Sequence, residues 1–140
     1  MTAQSRPYPV TVDPGYEDFV AAQADGRLVA RRCGNCGTAQ WPPRPLCAGC
    51  HSDVFEPLPV EPVGTVYTFT VVHRAFHPWF AERVPYGVAV VETDAGIRFM
   101  GLFDPAHLDE LAVGLRVVGE VADLGGHPGV MWRSSGGARS

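Results

Sequence analysis

Lysine is absent from this chain, and all 11 basic residues are arginines. They are outnumbered by 15 acids, for a formal net charge of -4. No basic stripe offsets that balance, which argues against a surface built for nucleic acid. Long apolar runs are also missing. No stretch of about 18 apolar residues exists, so no membrane-spanning helix is expected. Met1 to Pro9 is polar and carries prolines in place of the apolar core of a signal peptide, which makes the cytoplasm the expected location. There is no G-x-S-x-G elbow, no P-loop and no dinucleotide fingerprint. Those absences remove the commonest sequence grounds for nucleophilic or nucleotide-dependent catalysis.

Cysteine is scarce but patterned. The four cysteines in 140 residues form two C-x-x-C pairs, Cys33/Cys36 and Cys47/Cys50. In a reducing compartment, paired cysteines point to a metal before they point to disulfides. Cys33-Gly-Asn-Cys36-Gly37 has the form of a zinc knuckle, with glycine relieving the backbone where amides approach sulfur. Cys47-Ala-Gly-Cys50 supplies the second. Four thiolates close a tetrahedral shell and leave no position for water, so the expected Zn2+ is structural, with iron as the other candidate. Cys47-Ala-Gly-Cys50-His51 also spells the C-x-x-C-H of covalent haem attachment. That reading would leave Cys33 and Cys36 without a role and needs an export signal, so it is set aside.

Glycine (16) and proline (13) are plentiful and favour short strands and turns over a helical bundle. An arm and helix are expected over 1–27. Asp13 and Pro14 start the helix, Glu17 and Asp18 occupy its first turn, and Gly26 stops it. Tyr16, Phe19 and Val20 share one helical face. A rubredoxin-like zinc ribbon is expected over 28–56, and a barrel over 57–133. Residues 53–62, with Pro57, Pro59 and Pro62, read as an extended linker.

Strands are expected at 64–73, 86–92, 97–103, 115–124 and 130–133, with a helical turn near 105–111. On the first strand Tyr67, Phe69 and Val71 are expected on one face, with Thr68 and Thr70 on the other. Residues 134–140 read as a disordered tail. Five strands with a helical element between the third and fourth give a mainly β chain of OB type, a generic small barrel being the plainer alternative.

Two segments stand out as contact surfaces for ligand or partner. One is the ribbon loop with Trp41 and Arg44, residue types common at interfaces. Trp41 could equally cover the ribbon's small core. The other is HRAFHPWF, where His73, Arg74, Phe76, His77, Trp79 and Phe80 precede Tyr86. No catalytic set emerges, although His73 with Asp94 or Glu92 is an imaginable acid–base pair.

An N-terminal helix, C-x-x-C-G and C-x-x-C flanking Trp41-Pro42-Pro43-Arg44, then GTVYTFTVVH and VPYGVAVVE, together resemble one family. It is the zinc-ribbon plus OB-fold family first catalogued as domain of unknown function thirty-five. The resemblance spans Tyr16 to Arg133. It implies that Cys33, Cys36, Cys47 and Cys50 are metal ligands. It further implies an accessory subunit of a thiolase-like or lipid-transfer-type acyl-CoA enzyme, such as a steroid side-chain retro-aldolase, that supports an acyl-CoA site or bridges to an acyl-CoA hydratase. Arg31, Arg32, Arg44 and Arg74 are then candidates for CoA phosphates, since guanidinium makes paired contacts with phosphate. A free-standing acyl-CoA binder is the second hypothesis. A single-strand nucleic-acid binder, stacking bases on aromatics, is the third, and the acidic balance weighs against it.

Overall fold

The computed structural model describes residues 16–76, 78–123 and 128–135. Helix α1 (Glu17–Ala24) has Tyr16 at its N-cap position, with no side-chain cap. The expected start at Asp13 and Pro14 lies outside the described residues. The expected stop is present. Gly26 has φ +78°, its amide donates to the Gln23 carbonyl, and the Arg27 amide donates to the Ala22 carbonyl. Both bonds satisfy carbonyls that a helix end leaves open.

The ribbon is a three-stranded antiparallel sheet in the order β2-β1-β3, with β1 at Val29–Cys33, β2 at Ala39–Gln40 and β3 at Phe55–Pro59. Strand β3 corrects the linker reading. The segment is extended, but it is paired to β1 from Cys33↔Phe55 to Val29↔Pro59. Pro57 and Pro59 alternate with Glu56 and Leu58, so their missing N–H groups fall on the open edge, where proline is tolerated.

The barrel contains β4 (Val63–Val72), β5 (Tyr86–Thr93), β6 (Arg98–Phe103), β7 (Arg116–Asp123) and β8 (Pro128–Ser134). It closes in the order β4-β5-β6-β8-β7. Only the β6–β8 pairing is parallel. A 3-10 helix, Pro105–Glu110, bridges the third and fourth barrel strands, and the Asp104 carboxylate caps it by accepting from the Ala106 amide. This is the expected OB arrangement. Ser134, read as the start of the tail, is the last residue of β8; residues 136–140 lie outside the described ones.

The core centres on Trp132, fully buried with Phe103, Val66, Val91 and Val117 around it. Gly101 and Gly119 sit against the two ends of its indole. A Cβ at either position would come within 2.8 Å of a ring atom, so only glycine admits the ring.

The expected alternation on β4 fails at one point. A bulge shifts the register between Val66 and Thr68, turning Val66 inward and leaving Tyr67 half exposed on the outside. The extra residue resets the phase, and Phe69 packs against the core again.

A single aromatic cluster joins the three parts. Phe19 of α1, Trp41 of the ribbon and Phe99 of β6 lie with ring centroids 4.7 to 6.2 Å apart, and Tyr16 adds an edge contact to Trp41 at 5.5 Å. Offset and edge-on aromatic pairs at these separations add to the area they bury. The helix face expected from Tyr16 and Phe19 is therefore covered by the chain itself.

Candidate metal centre and surface sites

The sulfur atoms of Cys33, Cys36, Cys47 and Cys50 all lie within 4.8 Å of one another. Two of the separations, Cys33–Cys50 and Cys36–Cys47, are 3.6 Å. Tetrahedral zinc with sulfur at about 2.3 Å requires sulfur atoms about 3.8 Å apart. The donor set therefore fits a structural zinc, and it is the one such group among the described residues.

The two knuckles are built alike. The Cys33 amide donates to the Thr38 carbonyl and the Gly37 amide to the Cys33 carbonyl; the Cys47 amide donates to the Ser52 carbonyl and the His51 amide to the Cys47 carbonyl. Gly37 at φ +82° and His51 at φ +65° hold the equivalent left-handed position. His51 is thus the structural counterpart of a glycine. The C-x-x-C-H spelling comes from knuckle geometry, and His51 stands outside the ligand group.

Amide donors surround the sulfurs of Cys33 and Cys47. Asn35 and Cys36 amides approach Cys33 Sγ at 3.3 and 3.4 Å, and the Gly49 amide approaches Cys47 Sγ at 3.3 Å. The Cys36 amide leads the effects that lower the Cys33 thiol to about 6. The Thr38 hydroxyl, 3.1 Å from Cys36 Sγ, leads those that lower Cys36. These bonds stabilise two of the four thiolates before the metal arrives, which favours metal uptake at neutral pH. At Cys50 the bond from Asn35 is outweighed by burial and the neighbouring Cys33 and Cys36, which raise that thiol. Asn35 does more than its amide suggests. Its side-chain Nδ2 reaches Cys50 Sγ at 3.3 Å, tying one knuckle to the other. Sequence reasoning missed Asn35 and Thr38; a polar side chain inside or just after a C-x-x-C is the signal that would find them.

The remaining candidates separate. Trp41 belongs to the aromatic cluster between ribbon and barrel. Arg44 is exposed, and its backbone holds the loop, donating to Gln40 Oε1 and accepting from Arg31. His73 is exposed just beyond β4. It is not brought to either acid. Val72 pairs with Tyr86, whereas Thr65, seven residues back, pairs with Glu92, a separation of about 23 Å along the strand. Glu92 is bound to Arg98 and Asp94 to Arg116. Arg74 and Phe76 are exposed, Phe76 at 92%. Helix α2 (Pro78–Ala81) carries Trp79 and Phe80, half-buried. Arg83 stacks on Trp79 at 3.7 Å, and Phe80 lies 5.4 Å from Tyr86. His77 lies outside the described residues. A groove of about 500 Å³ opens where Arg27, Val60 and Glu61 meet Glu120 and Val121. None of the candidates above lines it.

Comparisons with known proteins agree on both halves. Residues 21–56 match the family described as the ChsH2 rubredoxin-like zinc ribbon domain, and residues 59–121 the ChsH2 C-terminal OB-fold domain. Among solved structures, a chain of the Ltp2-ChsH2(DUF35) aldolase superposes with a TM-score of 0.82 at 27% identity. The match covers 91% of this chain and 99% of that one. A DUF35 domain-containing scaffold protein from Methanocaldococcus jannaschii is 34% identical over 64% of each chain. A probable enoyl-CoA hydratase alpha subunit from Thermomonospora curvata is 36% identical over 66% of this chain and 28% of its own length. The benzoylsuccinyl-CoA thiolase subunit BbsA of Thauera aromatica is 27% identical over 65% and 63%. The chain thus spans less than two thirds of the length of each of these curated relatives.

Proposed function

Because the chain belongs to the zinc-ribbon plus OB-fold family that ChsH2 and the DUF35 scaffold proteins represent, we propose that it is a non-catalytic subunit of a thiolase- or lipid-transfer-type acyl-CoA enzyme. The observation that carries this is the near-complete superposition on a chain of an aldolase complex. The names of two further relatives, a thiolase subunit and a hydratase subunit, support the same setting. The chemistry of the chain agrees with a supporting role. Its four thiols are placed to close a shell around a metal, and His73 stands apart from the carboxylates that could have activated it.

In the finer form of this reading the partner cleaves an acyl-CoA in the manner of a steroid side-chain retro-aldolase. The subunit borders its acyl-CoA site or links it to a hydratase, with Arg44 and Arg74 available to phosphate. The test is co-expression with an Ltp2-type thiolase homologue. Stoichiometric co-purification, with retro-aldol turnover that depends on this chain, is expected. Separate elution of the two proteins, with turnover indifferent to the chain, overturns the reading; calorimetric titration of the lone chain with CoA esters then decides for a free-standing binder.

A further inference from the structure

The outer surface of the barrel is not uniform. A strand solvated on one side reads apolar inward and polar outward. Past its bulge, strand β4 follows that rule with Thr68 and Thr70 outside, and β7 carries the exposed Arg116 and Glu120 outward on either side of the half-buried Val118. Strands β5 and β6 do not. Their outward positions are Tyr86, Val88, Val90, Met100 and Leu102, alternating with the buried Gly87, Ala89, Val91, Phe99 and Phe103. The register assembles them into rows. Val88, Leu102 and Met131 lie side by side, and Val90 faces Met100. Phe80 extends the face past Tyr86. Met100 is 68% exposed. A strand apolar on both faces is the pattern of one buried on both faces. Here α1 and the ribbon pack at the inward ring Phe99 and leave Met100 uncovered.

The charges say what fits. Glu92 and Arg98, the charged outward side chains of β5 and β6, bind each other at 3.2 Å, and Arg98 also lies over Tyr67 at 3.8 Å. Asp94 next to them is held by both Arg116 nitrogens. Within β5 and β6 the one cation is Arg98, and it is paired; Arg133 is exposed farther along β8, and Glu120 borders the face on the far side. OB barrels that take oligonucleotides use the face of these same two strands; this one presents methyl groups and closed ion pairs. An uncharged apolar protein surface matches it.

We infer that the outer face of β5 and β6, centred on Val90 and Met100, is where the acyl-CoA enzyme subunit docks. The inference rests on the accessory-subunit reading and adds the surface to it. The test is hydroxyl-radical footprinting of the wild-type chain, alone and mixed with the Ltp2-type thiolase homologue, paired with affinity measurements on two variants. Oxidation of Met100 is expected to fall several-fold in the complex. Met100→Glu should weaken binding about tenfold or more, with an unchanged melting temperature, while Val113→Glu, at another exposed apolar site, leaves affinity unchanged. A complex that forms with Met100 oxidising as before overturns the docking face and leaves the accessory role standing. Absence of any complex overturns both. Protection of Met100 without the enzyme, in a chain that sediments as a dimer, overturns the inference in favour of a second copy as occupant.

Discussion

Of the buried side chains in the ribbon, Leu28 and Ala30 belong to the barrel's cluster. That leaves Val29, Cys33 and Cys47 as its own, and two of those are metal ligands. The barrel buries Val66, Val91, Phe99, Phe103, Val117 and Trp132, among others. The two halves lie in one short chain, but one is organised around four sulfurs and the other around an indole. In the ribbon the metal replaces a core, so its order is conditional on an ion. In the barrel, order is conditional on close packing.

The strongest way to break that comparison is to remove the metal. Zinc in finger peptides contributes on the order of 10–16 kcal/mol, more than three buried side chains supply. Chelation or Cys33→Ser should therefore abolish zinc content and amide protection over 29–33 while protection over 86–93 persists, as hydrogen exchange would read. Simultaneous loss in both would mean that the halves unfold as one unit. The converse experiment is Trp132→Ala, expected to cost about 3–5 kcal/mol in denaturant unfolding of the barrel. Zinc stoichiometry should hold at one per chain.

Between the two lies Trp41→Ala. It removes a half-buried ring that serves both halves, at about 2 kcal/mol, and should lower the thermal stability of ribbon and barrel alike. The smallest effect sharpens the ribbon alone. His51 pays for a left-handed backbone that glycine adopts freely, so His51→Gly should raise stability by about 0.5 kcal/mol, read as tighter zinc retention against a chelator.

The metal centre was legible because ligand spacing is a local property. Four cysteines in two pairs determine the donor set whatever surrounds them. The barrel was legible from runs such as GTVYTFTVVH and YGVAVVE, although period alone misassigned Tyr67, since a bulge leaves no mark in the alternation around it. Strand β3 was hidden because its two prolines argue against pairing unless the partner lies on one side only, a fact set by β1 some 25 residues earlier. Asn35 looked like a turn residue, and its bond to Cys50 depends on how the second knuckle closes over the first. The apolar outer face was present in the sequence as a strand without polar alternation. Only the register showed that Val90 and Met100 are neighbours.

The Phe19–Trp41–Phe99 contact has a mechanical consequence. Each ring comes from a different part of the chain, so none can swing without displacing the other two. Such a joint behaves as a weld and not as a hinge, and it fixes the distance and angle between the ribbon's tip and the sheet that carries Met100. A body that grips both ends meets a gauge already cut to length and loses little orientational entropy in aligning to it.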